Sequence, residues 1–381
     1  MKVLILGADG YLGWPTCMYF SQRGHEVIGV DNYFRRNAAI ELDCEPLIPT
    51  PNLIQRAKIW EEVSGKKINV HIGDITNYEF LLSIFKEYSP DAVVHYAEQP
   101  SAPYSMINRE KAAFTLQNNL LSTLNIVYAV KEVHPDCHIV KLGTMGEYGT
   151  PNIDIEEGWL KIEHKGRKDK FLFPRQASSL YHTTKIQDTD MLWFYVRIWG
   201  LRVTDLMQGP VYGLSTDEAD LDERLMPNFH YDEIFGTVLN RFIVQAAVGY
   251  PLTIYGKGSQ IRGYLNLQDT LQCVELAVQN SVQKGELKIY NQITETFSVN
   301  ELAEKVYRIG AGLGYKVEIK SIENPRKEKE EHYYNPTYSG FVELGLHPHY
   351  LTDELLVSMF KTVEKYKDNI SRHKIFRGIK W

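Results

Sequence analysis

Residues 2–13 read KVLILGADGYLG, in which a largely apolar run leads into three glycines at equal spacing. The apolar run predicts a β-strand, and the pattern from Tyr11 to Arg23 predicts the helix that follows. Gly7 permits a tight turn, Gly10 lets the backbone approach a pyrophosphate, and Gly13 lets the helix pack close to the sheet. The helix N-terminus then faces the phosphate charge. Such glycines also form plain turns, but their place between a strand and a helix favours a dinucleotide site.

The next predicted strand indicates which cofactor this site takes. Glu26 to Val30 form the strand, and Asp31 follows it directly, eighteen residues beyond Gly13. A carboxylate at that position suits the ribose diol of NAD and repels the additional phosphate of NADP. Arg35 and Arg36 are the opposing signal, since either could accept that phosphate. We predict NAD, because Asp31 stands at the strand end, where the ribose lies.

A second motif predicts chemistry on a hydroxyl group. Tyr181-His182-Thr183-Thr184-Lys185 is the only Tyr-x-x-x-Lys sequence among the 24 tyrosines. Residues four apart share one helix face, so the Lys185 ammonium is expected near the Tyr181 phenol. A nearby cation favours the phenolate, which makes Tyr181 a candidate acid/base during hydride transfer. The two motifs together predict an oxidoreductase.

Composition narrows the class of protein further. The chain has 381 residues, of which 44% are hydrophobic and 24% charged, and its net charge of −6 argues against a nucleic-acid surface. Four cysteines, at positions 17, 44, 137 and 273, contain no C-x-x-C pair, so we predict no metal site and no disulfide framework. No apolar run is long enough to span a membrane, and the chain starts on its first strand. A cytoplasmic location is the expectation.

Strand-like runs alternate with helical stretches along the first half of the chain. The runs that follow the first two strands are Ile68 to His71, Ala92 to Tyr96, Cys137 to Gly143, and Leu201 to Leu206. This alternation predicts an α/β fold with a Rossmann-type doubly wound parallel sheet. We expect an NAD-binding domain at 1–208, with returning segments at about 236–249 and 266–278. A smaller, interleaved nucleotide-sugar lobe is expected from 209–235, 250–265 and 279–381.

Ligands of such sheets bind beyond the carboxyl ends of the strands. The residues that follow the strands are Asp74-Ile75, Tyr96 and Glu98, Thr144-Met145, and Gln208. Asp74 could accept from an adenine amino group, or it could cap the next helix. Asn119 could stabilise a helix bend and orient the Lys185 region, or it could lie on an exposed helix face. Residues 151–174 are predicted to hold a hairpin with solvated charges.

Several motifs resemble one known family, the extended short-chain dehydrogenases that act on nucleotide sugars. They are Gly7 to Gly13, Gly73-Asp74-Ile75, Asn119 to Asn125, Tyr181 to Lys185, and Tyr255 to Arg262. Within that family, residues 141–158 and 330–335 most resemble the members that join sulfite to UDP-glucose. The resemblance implies C4 oxidation by NAD, loss of water across C5 and C6, sulfite addition at C6, and C4 re-reduction.

The resemblance also assigns roles to single residues. Tyr181 with Lys185 would act as the base at the C4 hydroxyl, and Thr144 would donate a hydrogen bond to it. The implied cofactor-binding set is Gly7, Gly10, Tyr11, Leu12, Gly13, Asp31, Asn32, Arg35, Arg36, Asp74, Ile75, Tyr96, Glu98, Asn119, Tyr181, Lys185 and Val211. The implied substrate-binding set is Thr144, Gln208, Thr237, Thr253, Tyr255, Arg262 and Arg326, in which the two arginines would hold the diphosphate.

Two departures separate this chain from its relatives. Sugar-nucleotide 4,6-dehydratases carry Asp-Glu after the threonine, where this chain has Met145-Gly146. A neutral pocket there suits anionic sulfite, which a carboxylate would repel. His182 is the candidate for the lost proton transfer or for binding sulfite, with a packed helix histidine as the alternative. Pro100 stands where we expect sulfite-using relatives to carry a ligand-contacting arginine.

Other functions and partners stay open at this point. A UDP-glucose 4-epimerase would need the same Tyr181, Lys185 and Thr144 without elimination. A non-catalytic NAD-binding regulator would keep the fold alone, although the intact catalytic residues argue against it. The resemblance implies a homodimer through the helices that carry Asn119 and Tyr181. Sulfite either enters free or comes from a partner protein.

Overall fold

The computed structural model describes residues 1–324, 333–376 and 378–379. Its strands are β1 (Lys2–Leu6), β2 (Glu26–Asp31), β3 (Ile68–Ile72), β4 (Ala92–His95), β5 (His138–Thr144), β6 (Trp159–His164), β7 (Arg167–Leu172), β8 (Arg202–Gln208), β9 (Val211–Tyr212), β10 (Leu252–Tyr255), β11 (Ile261–Asn266), β12 (Glu286–Gln292), β13 (Glu295–Ser298) and β14 (Ile319–Ile322). Its helices are α1 (Gly13–Gln22), α2 (Phe34–Glu41), α3 (Leu53–Ser64), α4 (Tyr78–Tyr88), α5 (Ala102–Ser105), α6 (Arg109–Val133), α7 (Leu180–Trp199), α8 (Val238–Ala247), α9 (Leu267–Gln279), α10 (Val299–Gly312), α11 (Gly340–Glu343), α12 (Asp353–Lys365) and α13 (Arg372–Ile375).

Seven parallel strands form the central sheet, in the order β12-β8-β5-β4-β1-β2-β3. The first strand, β1, lies between β2 and β4, where Leu4 is in register with Ile28 on one side and Val93 on the other. The order in which strands are added to the sheet therefore reverses at β1, with β2 and β3 on one side and β4, β5, β8 and β12 on the other. In doubly wound folds, ligands bind at this switch point. The predicted α/β, Rossmann-type fold class is confirmed.

Both faces of the sheet are covered, and β1 shows why its sequence is apolar throughout. Successive strand residues point to opposite faces. Val3 and Ile5 pack in one hydrophobic core with α1 and α3, whereas Leu4 and Leu6 pack in a second core with α4, α6 and α7. A strand buried on both sides has no polar face, and so its apolar residues do not alternate with polar ones.

The smaller lobe is built from interleaved segments, but its membership differs from the sequence-based division. The strand β12 pairs with β8 as the edge strand of the central sheet, although residues 279–381 were assigned to the smaller lobe. Conversely, α8 packs against α10 and α12, although residues 236–249 were expected to return to the first domain. Helix α9, in the segment 266–278, packs on α1 and β5 and also on β11.

The charged insertion forms an antiparallel hairpin of β6 and β7, whose register runs from Trp159 opposite Leu172 to His164 opposite Arg167. Trp159 packs against Trp193 of α7, with their ring centroids 5.0 Å apart. Most of the hairpin's charged side chains are exposed. Its charges therefore face solvent rather than the sheet.

The described ranges contain neither a membrane-spanning helix nor a metal-binding cluster. No helix there combines the length and apolar character that a membrane crossing requires. Within the same ranges, no group of three or more His, Cys, Asp or Glu side chains is arranged to hold a metal ion. All four cysteines are buried as free thiols.

Candidate active site

A cleft of about 780 Å³ opens beyond the carboxyl ends of the sheet strands, between the sheet and the smaller lobe. Its walls bring together most of the residues expected at the site. These are Gly7, Gly10, Tyr11, Leu12, Gly13, Asp31, Asn32, Arg35, Ile75, Tyr96, Glu98, Thr144, Met145, Tyr181, His182, Gln208, Val211, Thr237, Thr253, Tyr255 and Arg262. The glycine loop lines one end of the cleft, and the smaller lobe lines the other end.

The glycine loop has no room for side chains. Gly7 has a φ of +86°, and a Cβ there would lie 2.8 Å from the backbone carbon of Tyr96. A Cβ on Gly13 would lie 2.0 Å from the carbonyl oxygen of Gly7. Helix α1 starts at Gly13, two residues later than predicted, and no side chain caps its N-terminus. Leu12 and Gly13, at this end of the helix, line the cleft, and a helix N-terminus there fits a dinucleotide phosphate.

Asp31 occupies the position expected for ribose recognition. Its carboxylate accepts hydrogen bonds from the backbone N–H groups of Asp9, at 2.9 Å, and Tyr33, at 2.7 Å. Burial, and then the charge of Asp9, raises the pKa of Asp31 to about 6. These bonds fix the carboxylate at the edge of the cleft, where it fits a ribose diol.

Arg36 differs from its expected role, because it turns away from the cleft. Its Nε lies 2.5 Å from the Asp9 carboxylate, and its other nitrogens donate to the backbone of Thr50 and Pro51. Buried Arg56 also donates to Asp9, at 2.6 Å. With Arg36 held in this way, it is not available to a 2′-phosphate, which favours NAD.

Arg35 does line the cleft, on the side of the smaller lobe. Its guanidinium lies over the ring of Phe235, with 3.8 Å between guanidinium carbon and ring centroid. Its Nε is buried without a hydrogen-bond partner among the described residues. Burial lowers the pKa of Arg35 to about 10, so the side chain is still a cation at neutral pH.

Asp74 and Asn119 lie outside the cleft lining. The Asp74 carboxylate accepts from the backbone N–H and hydroxyl of Thr76, in the turn before α4, and Asn77 rather than Asp74 caps that helix. Buried Asn119 on α6 accepts from the backbone N–H of Gln99, at 2.8 Å, and donates to the Thr184 hydroxyl, at 3.0 Å. Asn119 thus joins the loop after β4 to α7, beside Lys185.

Tyr181 and Thr144 face the same part of the cleft from α7 and from the end of β5. Ser179 caps α7 by accepting from the backbone N–H of His182, so Tyr181 lies in the first helical turn. Burial, followed by the charges of Glu98 and Glu147, raises the pKa of Tyr181. The sequence predicted that Lys185 would lower the pKa of Tyr181, and the structure does not show this effect. Lys185 instead forms an ion pair with Glu98.

His182 lies on the cleft wall directly above Gly146. Its Nδ1 is 3.0 Å from the hydroxyl of Ser178, and its ring lies against that of Tyr181, with centroids 5.2 Å apart. A Cβ on Gly146 would lie 2.3 Å from Nε2 of His182. The imidazole therefore occupies space that any side chain at position 146 would need. The imidazole of His182 can lie here because residue 146 is a glycine and not the carboxylate residue of the dehydratases.

A buried charged cluster supports this region, and sequence reasoning missed most of it. Lys141, inside β5, lies 3.4 Å from Glu147 and 3.3 Å from Asp205. Arg175 approaches Glu147 from the other side, at 3.2 Å. Glu147 accepts from the backbone N–H of Thr144, at 3.2 Å, and so fixes the loop that carries Thr144 to Gly146. A lysine within an apolar strand was the signal in the sequence, since a buried lysine requires partners.

The smaller lobe provides a polar end to the cleft. Helix α8 starts after Thr237 with no side-chain cap, and its first internal bond joins the N–H of Arg241 to the Thr237 carbonyl. The Thr237 hydroxyl and the Nε of Arg241 are buried without partners in the described part of the chain. Arg241 is 7% exposed and lines the cleft, which sequence reasoning also missed.

Two of the remaining predicted substrate residues lie next to α8. Thr253 accepts from Gln245 of α8, at 2.8 Å, and Tyr255, which lies beneath the Arg241 guanidinium, donates to Glu233, at 3.0 Å. Gln208 donates to Gln292, which is opposite it on the neighbouring strand β12, at 3.0 Å. Arg326 lies outside the described residues.

Residues 3–291 match the model of the NAD dependent epimerase/dehydratase family. The chain belongs to this family. UDP-sulfoquinovose synthase, chloroplastic, of Spinacia oleracea is 50% identical over 380 residues, which cover 100% of this chain and 79% of the relative. UDP-sulfoquinovose synthase of Sulfolobus acidocaldarius is 46% identical over 384 residues, with 100% and 98% covered. The UDP-glucose 4-epimerase of Thermotoga maritima, solved with UDP-glucose, shares the fold: its TM-score is 0.71 at 20% identity, covering 96% of this chain and 99% of that one.

Proposed function

We propose that the protein is a UDP-sulfoquinovose synthase, an NAD-dependent enzyme that converts UDP-glucose and sulfite to UDP-sulfoquinovose and water. The observation that carries this proposal is full-length identity of 50% and 46% to two proteins of that name. The cleft supports it, because Tyr181 and Thr144 both line it and Met145-Gly146 stand in place of the dehydratase carboxylates.

The first and last steps concern the C4 hydroxyl. Tyr181 removes the hydroxyl proton while Thr144 holds the C4 oxygen by a hydrogen bond. The glycine loop, Asp31 and the N-terminus of α1 would hold NAD, which would supply the hydride acceptor for C4 oxidation and the hydride donor for its re-reduction. At the end of the reaction Tyr181 returns the proton to the C4 oxygen.

The middle steps take place at C5 and C6. The C4 ketone acidifies the C5 proton, so that this proton and the C6 hydroxyl leave as water and a C5–C6 double bond forms. Bisulfite then adds, with its sulfur bonding to C6 and its proton going to C5. His182 would move these protons. In support, its Nδ1 lies 3.0 Å from the Ser178 hydroxyl, and a Cβ on Gly146 would lie 2.3 Å from its Nε2.

The nucleotide would bind at the smaller lobe. Free N–H groups at the start of α8, together with Arg241 and Arg262, suit the charge of a diphosphate. Thr237, Thr253 and Tyr255 line the cleft next to them and would surround the uridine. This orientation places the glucose between the smaller lobe and Tyr181.

The decisive experiment is incubation with UDP-glucose in the presence and absence of sulfite, followed by mass spectrometry of the nucleotide sugars. We expect a product that forms only with sulfite and that carries a carbon–sulfur bond. UDP-galactose formed without sulfite would instead establish the 4-epimerase alternative, and NAD binding without turnover would establish the regulator. Turnover with free sulfite alone would show that no donor protein is required.

The proposal extends to assembly and location. Helices α6 and α7 pack side by side and would form the face of a homodimer, as the family resemblance implies. Four buried free thiols suit a reducing compartment such as the cytoplasm. Size-exclusion chromatography with light scattering would test the dimer.

A further inference from the structure

The ammonium of Lys185 forms an ion pair with a carboxylate, and the Tyr-x-x-x-Lys motif does not predict this pair. Lys185 is 2% exposed, and its Nζ forms an ion pair with Oε2 of Glu98, from the loop after β4. The other carboxylate oxygen of Glu98 lies 3.2 Å from Nε2 of His95. Burial lowers the pKa of His95 well below its usual range, so His95 brings no charge. Lys185 and Glu98 therefore form a buried pair of opposite charges.

We propose that Glu98 is a positioning residue that holds Lys185 in this ion pair and thereby sets the pH at which Tyr181 exchanges its proton. The inference rests on the C4 oxidation step of the proposed function. An unpaired ammonium would favour the phenolate, whereas a neutralised ammonium favours it far less. In the proposed reaction Tyr181 must both take and return a proton, and a paired Lys185 prevents the phenolate from becoming too stable to return it.

Other titratable groups also lie near Tyr181 and Lys185, but they differ from Glu98 in the groups with which they pair. The described groups are Lys141 from β5, Glu147 from the turn after β5, Arg175 beside Glu147, Asp205 from β8, and His182 and Asp188 from α7. Lys141, Glu147, Asp205 and Arg175 compensate one another within the cluster below Thr144. Among the ion pairs of the described residues, Lys185 has only that with Glu98.

Asp188 offers a matched comparison, because it is a second buried carboxyl group beside Lys185 on the same helix. Burial, followed by the charge of Glu98, raises the pKa of Asp188 well above its usual range. The raised pKa favours the protonated, neutral form of Asp188. Glu98, by contrast, is the carboxylate that is ion-paired with Lys185, so replacing Glu98 with Gln should remove more charge than replacing Asp188 with Asn.

The test measures the rate at which UDP-glucose reduces bound NAD, by NADH absorbance, between about pH 7 and pH 11, the range that includes the ordinary pKa of a tyrosine. For the wild type, the rate should fall as pH decreases, because the phenol becomes protonated. For Glu98→Gln, the midpoint should move to lower pH by about one unit, giving a rate roughly tenfold higher at pH values below the wild-type midpoint. Asp188→Asn should move the midpoint by less than Glu98→Gln does. Glu98→Ser provides a second charge-removing variant if Glu98→Gln does not fold.

An unchanged midpoint in the Glu98 variants would overturn the inference. Weaker NAD binding in fluorescence titrations without a shift would also overturn it, and would return Glu98 to its predicted role in cofactor binding. An equal shift in Asp188→Asn would overturn it as well, because the effect would then not belong to Glu98. The assay contains no sulfite, so a failure of the wild type to form a sulfite-dependent product counts against the proposed function alone.

Discussion

At the scale of single residues, Gly146 is where a small change should separate the two halves of the reaction. Gly146→Ala places a methyl group in the space of the His182 imidazole, since a Cβ there would lie 2.3 Å from Nε2. We expect sulfite-dependent product formation to fall about 100-fold, because a displacement of about 1 Å in a catalytic group costs this much. Reduction of NAD by UDP-glucose, which needs Tyr181 and Thr144, should continue. Both rates can be followed on the same preparation.

Gly312 provides the matched control for this substitution. It ends α10, and a Cβ there would meet nothing within 4 Å. Gly312→Ala should leave both rates unchanged. If Gly146→Ala kept full sulfite-dependent activity, His182 would have no role at C5 and C6.

Asp31 gives the site a predicted pH dependence in NAD binding. Its folded pKa of about 6 lies above the ordinary value for an aspartate, so the folded protein takes up this proton as pH falls through about 6. The ribose diol binds best to the ionised carboxylate. NAD affinity should therefore be greatest above pH 6 and fall by up to about tenfold per pH unit below it. Calorimetric titration of the NAD-free protein at several pH values measures this.

Two variants, each of which removes one carboxylate, show which group causes the pH dependence of NAD binding. Asp31→Asn should bind NAD more weakly and lose the fall near pH 6. Asp74→Asn should retain it, because the Asp74 carboxylate bonds to Thr76 outside the cleft lining. A fall near pH 6 that survives in Asp31→Asn would assign the titration to another group.

The sequence was sufficient to find residues whose role depends on their own local pattern. Gly7 and Asp31 are set by the strand–turn–helix order, and both lie where expected. Arg35 and Arg36 could not be separated, because only the fold brings the Asp9 carboxylate next to Arg36 and holds it there. An acidic residue inside a phosphate-binding loop could have been a signal, since its charge must be compensated before an anion binds there.

At the scale of elements, α8 is the helix that should bind the nucleotide. Its N-terminus has no cap, and Arg241 one turn later is buried without an ion pair in the described ranges. Arg241→Met should weaken UDP-glucose binding by about 10- to 100-fold, because a hydrogen bond to a charged group contributes about 1.5–3 kcal/mol. NAD affinity should not change. Arg308→Met is the control, because Arg308 pairs with Asp353 on the exposed surface.

Titration with UDP alone distinguishes diphosphate binding from sugar binding. The same loss of affinity for UDP as for UDP-glucose would place Arg241 at the nucleotide. A loss for UDP-glucose but not for UDP would place Arg241 at the sugar and would contradict the proposed orientation.

The elements that sequence reasoning misplaced share one property. Neither β12 nor α8 differs in its own pattern from its neighbours, and each is assigned to a lobe only by a distant partner. The partner of β12 is β8, about 80 residues earlier, and those of α8 are α10 and α12, which come later in the chain. Hydrophobic periodicity identifies a strand or a helix, but it does not show with which strand that strand will pair or against which helix that helix will pack.

At the scale of the whole molecule, one exposed surface implies a partner. Leu121 and Tyr128 on α6, and Phe194 and Ile198 on α7, are 41 to 50% exposed. Large apolar side chains grouped on adjacent helices are typical of protein interfaces. The two helices of one protomer would meet those of a second copy, which would bury all four side chains.

The double variant Phe194→Glu and Ile198→Glu should convert the predicted dimer to a monomer. Placing four carboxylates at a twofold interface leaves them desolvated and close to one another, which should weaken association by about 30-fold or more. Light scattering coupled to size-exclusion chromatography measures the mass directly. Leu313→Glu is the control, because Leu313 is 44% exposed at the end of α10, in the smaller lobe. A wild type that is monomeric at micromolar concentration, or a dimer that survives the double variant, would contradict this surface as the interface.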